Sequence, residues 1–276
     1  MSGTLYLVAT PIGNLSDFSP RAVETLQTVD FIAAEDTRVS VKLLNHFQVK
    51  KPLLSYHEHN HVTAGKSILE RLLAGESCAL VTDAGTPAIS DPGEDLVRMC
   101  AEQDVSVIAI PGCCAAVNAL AVSGLPTGRF TFEGFLTVNR KCRRERLESL
   151  LTEQRTMIFH EAPHKLSTTL EDLCGVFGPD RRISLCRELT KLHEETIRTT
   201  LGGAVAYYRE NSPKGEYVLV VAGAEPEDKP GITLEDGVAR VLELKARGLG
   251  MKDAVRQAAE ETGLARNELY QAALKE

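Results

Sequence analysis

The sequence predicts an α/β fold, and three observations carry that expectation. Short apolar runs of four to six residues alternate with amphipathic stretches through the first half. All but one of these runs are nearly continuously apolar, as expected where both faces of a sheet are covered. Glycine- and proline-rich segments follow several of them, in the pattern of β–α connections. The runs are Leu5 to Ala9, Phe31 to Ala34, Leu53 to Tyr56, Cys78 to Val81 and Val105 to Ile110. Ser19-Pro20 opens one intervening helix with a capping residue and a first-turn proline. Another helix carries Ile68, Leu69, Leu72 and Leu73 on one face and ends near Gly75. A largely parallel sheet up to about residue 120 follows from this alternation.

Beyond Gly124-Leu125-Pro126 the rhythm is less regular. Phe130 to Phe135, Thr156 to His160, Ile183 to Arg187, Thr196 to Thr200 and Tyr217 to Ala222 read as strands, with a helix begun by Pro163. A second α/β domain with a mixed sheet is expected, hinged near Gly124 to Gly128. The segment Glu225 to Gly231 is charged and proline-bearing, as a linker is. After it, Leu234 to Ala246, Met251 to Glu260 and Leu264 to Ala273 read as helices. The last two are joined through Thr262-Gly263-Leu264, and Ala254 and Ala258 are small enough for close packing, the spacing of a helix-turn-helix unit. The expected domains are therefore 1–122, 123–225 and a linker with helical extension over 226–276.

Composition excludes several classes. The 276 residues are 43% hydrophobic and 25% charged with a net charge of −7, so disorder is not expected and no global field draws the chain to nucleic acid. No apolar run approaches the length of a spanning helix. The chain enters its first strand almost at once, and none of its seven cysteines forms a CxxC pair, so a cytoplasmic protein with reduced thiols is expected. No GxGxxG follows the first strand, and Ala64-Gly65-Lys66-Ser67 lacks the first glycine of a P-loop, which would fall at Asn60. Dinucleotide and ATP chemistry are set aside.

Three loops stand out as ligand-facing because they would share one edge of a parallel sheet. They are Thr10-Pro11-Ile12-Gly13, the long turn from Asp83 to Gly93, and Pro111 to Ala116. Glu35, Asp36 and Arg38 end the second strand on the same rim. His57, His59 and His61 alternate in an extended segment, but no partner at metal spacing accompanies them, and no metal is expected. In the second half, acid–base residues gather in His160-Glu161, Arg187-Glu188 to Lys191, and Lys214-Gly215-Glu216. The segment 139–146 holds five basic residues and one acid, a local +4 suited to phosphates.

Nine motifs now stand in order: ATPIGN, EDTR, SYHEHN, DAGTPAISDPG, IPGCCAA, SGLPTGRF, HEAPHKL, RELTKLHEE and GEYVLVV. Together they resemble the bacterial small-subunit ribosomal RNA (cytidine-2′-O)-methyltransferases of the tetrapyrrole-methylase superfamily, from about Thr4 to Gly223. Cys113-Cys114 depart from the small or hydroxyl residues more usual there. The resemblance implies two α/β domains with S-adenosylmethionine in the cleft between them, a small C-terminal helical unit, and a homodimer. It implies methylation of the ribose 2′-hydroxyl of a decoding-centre cytidine, with ribosomal RNA or the small subunit as partner and neither membrane nor DNA. The cofactor would meet Pro11, Gly13, Asp83, Ala84, Gly85, Thr86, Ile89, Ser90, Cys113, Ala115, Ala116, Phe159, His160, Glu161 and Glu216. Asp83 and Asp91 would offset its positive charge. Glu188, His57 and Lys214 are the candidate bases for the hydroxyl proton. Glu35, Asp36 and Arg38 would orient substrate, and Arg140, Lys141, Arg143 and Arg144 would hold phosphates. The C-terminal segment 231–276, with seven basic and eight acidic residues, is a weaker electrostatic partner. A small-molecule methylase or a non-catalytic RNA-binding module on the same fold are the alternatives.

Overall fold

In the computed structural model, which describes residues 2–225 and 233–275, the apolar runs of the first half pair into a five-stranded sheet. Its strands are β1 (Thr4–Val8), β2 (Phe31–Ala34), β3 (Leu53–Ser55), β4 (Cys78–Val81) and β5 (Ser106–Ile110). The order is β3-β2-β4-β1-β5, with every pairing parallel. Between them run α1 (Pro20–Thr28), α2 (Thr37–His46), α3 (His61–Leu73), α4 (Glu94–Glu102) and α5 (Ala115–Val122).

Both sheet faces are covered, which is why β2 and β4 read as unbroken apolar runs. On one face Val8, Ile32, Ala79 and Val81 pack with Phe18, Leu26 and Leu44. On the other, Leu5, Phe31 and Leu80 pack with Ile68, Leu72 and Leu96. The run Leu53 to Tyr56 is shorter than its sequence suggests, because β3 is an edge strand with one neighbour. Tyr56 still donates its N–H to the Ala34 carbonyl, 2.8 Å away. Local chemistry sets the helix starts: the Ser19 side chain accepts from Ala22 N–H ahead of Pro20, and Asp36 caps α2. The Ala64 to Ser67 stretch lies inside α3, as its rejection as a P-loop requires.

The second sheet holds β6 (Phe130–Phe135), β7 (Thr156–Glu161), β8 (Arg182–Arg187), β9 (Glu195–Thr200) and β10 (Tyr217–Val221), in the order β6-β7-β10-β8-β9. Only β6 and β7 run parallel; the remaining pairs are antiparallel. The helices are α6 (Arg140–Ser149), α7 (Pro163–Phe177) and α8 (Leu201–Glu210). The helical signal of α8 is weak in the sequence, because Gly202-Gly203 fall in its first turn. Thr200 supplies the missing start by accepting from Gly203 N–H.

Residues 1–224 form one compact unit and residues 225–276 a second. The second holds α9 (Leu234–Ala246), α10 (Met251–Thr262) and α11 (Arg266–Ala273). Thr233 and Asp236 form a reciprocal capping box at α9. Ala254 and Ala258 are fully buried against Val241, Leu244 and Leu269. Of the expected linker, residues 226–231 lie outside the described residues. Among the described residues no helix is long and apolar enough to cross a membrane.

Leu219, at the centre of β10, is fully buried. Leu219→Ala is expected to lower unfolding free energy by about 2–5 kcal/mol; a denaturant titration with an unchanged midpoint would contradict this packing.

Candidate functional site

Because the first sheet is parallel, the carboxyl ends of β1, β2, β4 and β5 deliver their loops to one rim. Two of those loops are tied by a reciprocal pair: Thr10 N–H donates to Gly85 O at 2.8 Å and Gly85 N–H to Thr10 O at 3.1 Å. Thr86 Oγ1 donates to the Cys113 carbonyl at 2.9 Å and so joins the third. A cavity of about 360 Å³ lies between this rim and the ends of β7, β8 and β10. The rim contributes Ile12, Glu35, Asp83, Ile89, Asp91 and Ala115 among others. The opposite wall contributes Phe135, His160, Glu188, Leu189, Lys191 and Glu216. Gly85, Thr86, Cys114 and Ala116 line a small recess that shares Ile12, Ala84 and His160 with it.

The lining carries six carboxyl side chains (Glu35, Asp83, Asp91, Glu161, Glu188, Glu216) against one lysine, Lys191. Lys191 Nζ donates to Glu188 Oε1 at 2.9 Å and to Glu216 Oε2 at 2.8 Å. Glu188 Oε1 also accepts Glu216 N–H at 3.0 Å. That backbone N–H, together with the Lys191 ammonium, holds the Glu188 carboxyl below its usual range, so it is ionised at neutral pH. Burial opposes the charge on Lys191, but Glu216 and Glu188 outweigh it and keep the ammonium protonated.

Two glycines make this cluster sterically possible. At Gly13 a Cβ would come within 2.4 Å of Lys191 Cγ, and at Gly215 within 2.4 Å of Glu188 Cγ. Both have positive φ, 153° and 77°.

Across the cavity the balance runs the other way, for Arg38 acts on Asp83 only through its charge at a distance and does not outweigh burial. Burial, then the charges of Glu35 and Asp83, push the Asp91 carboxyl up to about 6. Burial also raises Glu35 and Asp83. Burial keeps His160 neutral by lowering its pKa, and its Nε2 is buried with no hydrogen-bond partner. An acid-lined cavity with an orphaned imidazole nitrogen and closely approaching backbone fits the sulfonium cofactor that the resemblance implies.

The structure brings together most of the expected cofactor residues: Asp83, Ala84, Gly85, Thr86, Ile89, Ser90, Ala115, Ala116, His160, Glu161 and Glu216. Glu161 already accepts Ala162 N–H at 2.8 Å and Thr169 Oγ1 at 2.5 Å, so one oxygen serves the start of α7 and the other a hydroxyl two turns along it. Pro11 and Gly13 line a neighbouring cavity that shares Asp83.

Several expectations are corrected. Phe159 is fully buried in the core on the opposite face of the second sheet, because β-strand neighbours alternate. Cys113 is buried, and burial raises its thiol pKa; the thiol donates to the Asp17 carbonyl at 3.8 Å, while the backbone carbonyl accepts from Thr86 Oγ1. His57 does not line the cavity; its N–H donates to Asn60 Oδ1 and its Nδ1 accepts from His59 N–H within a turn. Lys214 is also absent from the lining, its N–H donating to Tyr217 Oη at 3.3 Å. Lys191, within the RELTK motif, takes the place expected of Lys214.

The charged substrate candidates also divide. Glu35 lines the cavity. Asp36 and Arg38 instead pair with each other at 2.6 Å, which holds the Asp36 carboxyl at about 2. In α6, Arg143 turns inward to Asp172 at 2.6 Å and is not free for phosphate. Arg144 pairs with Glu148 at 2.8 Å along the same helix, while Lys141 reaches Glu145 only at 3.9 Å and Arg140 is exposed. His61 Nδ1 contacts Asp95 Oδ2 at 2.8 Å, and no group of three or more metal-type side chains occurs among the described residues. Sequence reasoning missed Phe135 and Lys191 as lining residues. The first depends on a strand irregularity and the second on a tertiary ion pair, neither written in local spacing.

The family model described as Tetrapyrrole (Corrin/Porphyrin) Methylases matches residues 4–205, and the RsmI C-terminal HTH domain model matches residues 233–276. The chain is 54% identical over 273 residues to a Synechocystis protein named ribosomal RNA small subunit methyltransferase I, covering 99% of this chain and 98% of that one. A protein of the same name from Escherichia coli O157:H7 is 45% identical, covering 99% and 96%. Among solved structures, diphthine synthase (TM-score 0.60, 14% identity, 80% and 90% coverage) and the methyltransferase CobJ (0.59, 19%, 81% and 95%) share the fold.

The folded state holds a proton on Asp91 up to about pH 6, whereas an ordinary aspartate releases it near 3.8. Ionising this group therefore costs native stability progressively from about pH 4 to pH 6, and the full cost remains above that. Asp91→Asn is expected to raise Tm by a few degrees at pH 7.5 and by nothing near pH 4; equal shifts at both pH values in thermal melts would contradict the assignment.

Proposed function

The chain belongs to the tetrapyrrole (corrin/porphyrin) methylase family, and on that premise we propose that it is an S-adenosylmethionine-dependent ribosomal RNA methyltransferase acting on the ribose 2′-hydroxyl of a decoding-centre cytidine in the small subunit. The observation that carries this reading is the charge of the cavity, six carboxyls against one lysine. Such a lining repels polyphosphate cofactors and attracts a compact organic cation. S-adenosylmethionine, when bound, supplies a methyl group on a sulfonium, open to attack by oxygen.

The chain's own groups divide the remaining work. Small residues at Ala84, Gly85, Ala115 and Ala116 let backbone amides and carbonyls approach the cofactor. Asp83 and Asp91 offset its positive charge, and His160 Nε2 offers the one buried imidazole nitrogen without a partner in the lining. A ribose hydroxyl is a weak nucleophile until its proton leaves. Glu188 is the acceptor for that proton, being ionised and fixed by Glu216 N–H and Lys191. Lys191 keeps the acceptor aimed and stabilises negative charge on the oxygen as it develops.

Arg140 and Lys141 at the start of α6 supply phosphate contacts. The same reading makes the protein a cytoplasmic homodimer, with the unit of α9 to α11 as a further RNA contact.

Glu188→Gln should lower methyl transfer to small-subunit RNA by about 10²–10⁴-fold while calorimetry shows S-adenosylmethionine binding unchanged. Full turnover in this variant excludes Glu188 as the acceptor. Replacing Arg140 and Lys141 together by alanine should reduce the slope of log affinity against log salt by roughly one to two; an unchanged slope removes α6 from the RNA surface.

A further inference from the structure

Phe135 is 60% exposed although it ends a strand whose next residue, Leu136, belongs to the core. The pairing of β6 with β7 explains its position. Phe132 pairs with Ile158, Gly134 with Phe159 and Phe135 with His160, so one extra residue is inserted between Phe132 and Gly134. Gly134 accommodates the bulge at φ 63°. Ahead of the bulge Phe132 faces α5 with Ile158, while Glu133 turns to the other face and pairs with Arg146 of α6. In an unbroken strand Phe135 would follow Glu133 onto that other face. The bulge turns it back beside Phe132 and His160, into the lining of the cavity. Its ring meets the His160 ring edge-on at 5.3 Å, and Phe132 meets the same imidazole at 5.2 Å.

Phe135 is the one phenylalanine of the lining, and more than half of it is left to solvent. An exposed ring beside a methyl-transfer cavity is a surface for another planar group. Proteins that select unpaired RNA nucleotides hold splayed bases on aromatic side chains, and stacking needs no charge complementarity. That last property suits an acidic cavity mouth.

We propose that Phe135 is the stacking platform for the target nucleobase, holding the cytosine out of its helix so that its ribose reaches Glu188. The proposal rests on the RNA-methyltransferase reading of the cavity and adds to it the residue that positions the substrate base. The β-bulge at Gly134 exists, on this account, to aim that ring.

The chain contains no tryptophan, so F135W places a single indole at the site. The probe is a short RNA hairpin with the decoding-centre sequence and its cytidine unpaired, beside the same RNA with an abasic ribose at that position. F135W emission should be quenched by the cytidine RNA and not by the abasic one; equal quenching by both overturns the proposal. F135A and F135L should lose about tenfold or more in kcat/KM for RNA, and F135Y should stay near the parent. S-adenosylmethionine affinity and Tm should be those of the parent in each. A fall in cofactor affinity in F135A would place the ring against the cofactor instead and overturn the proposal, as would full kcat/KM in F135A. If the parent protein itself transfers no methyl to RNA, the reading of the cavity fails and the proposal falls with it; parent activity with an indifferent F135A removes Phe135 alone.

Discussion

A single ammonium among six carboxyls governs the shape and the chemistry of the cavity. Lys191 reaches from the end of β8 across Gly13 of the first sheet's rim, and it is held there by Glu188 and Glu216. Both carboxylate partners stand on the second wall, and only the aliphatic stem of Lys191 lies against the first sheet's rim, at Gly13. Glu188 and Glu216 pair with that ammonium, Glu161 accepts hydrogen bonds from Ala162 and Thr169, and the remaining three are raised by burial and by neighbouring carboxylates. A cation entering between the two groups finds charge that the protein has left unbalanced.

Holding charge in that state requires backbone that local preferences would not choose. Ala88, Ser90, Glu188 and Thr190 all adopt positive φ, and three of the four line the cavity or the groove beside it. Each such residue costs on the order of 1–3 kcal/mol. The expense is carried by two well-filled sheets, whose strands β2, β4, β7 and β10 are buried nearly throughout. Rigid strands that end in strained loops are the arrangement by which an α/β rim fixes a ligand without a moving part.

Much of this was legible in the sequence because it rests on local rules. The short strand-like runs marked all ten strands to within one residue at each end, and the edge position of β3 accounts for its stop one residue early. The rim loops were visible from glycine and proline after those runs. What the sequence hid depends on tertiary register. Lys214 and Lys191 each neighbour a carboxylate-bearing strand end, and only the folded loop decides which ammonium points inward. Arg143 sits among exposed basic residues, yet helix geometry turns it toward Asp172. Phe135 follows an alternation that a single inserted residue reverses. The α8 helix is hidden for a simpler reason, since two glycines at its start suppress propensity that Thr200 capping restores.

Calorimetric titration of the purified protein with S-adenosylmethionine at pH 5 and pH 7.5 bears most directly on this picture. One site per chain is predicted, with tighter binding at the higher pH as Asp91 ionises through about 6 and presents its charge to the cation. No binding at either pH, or binding that weakens as Asp91 ionises, would contradict it.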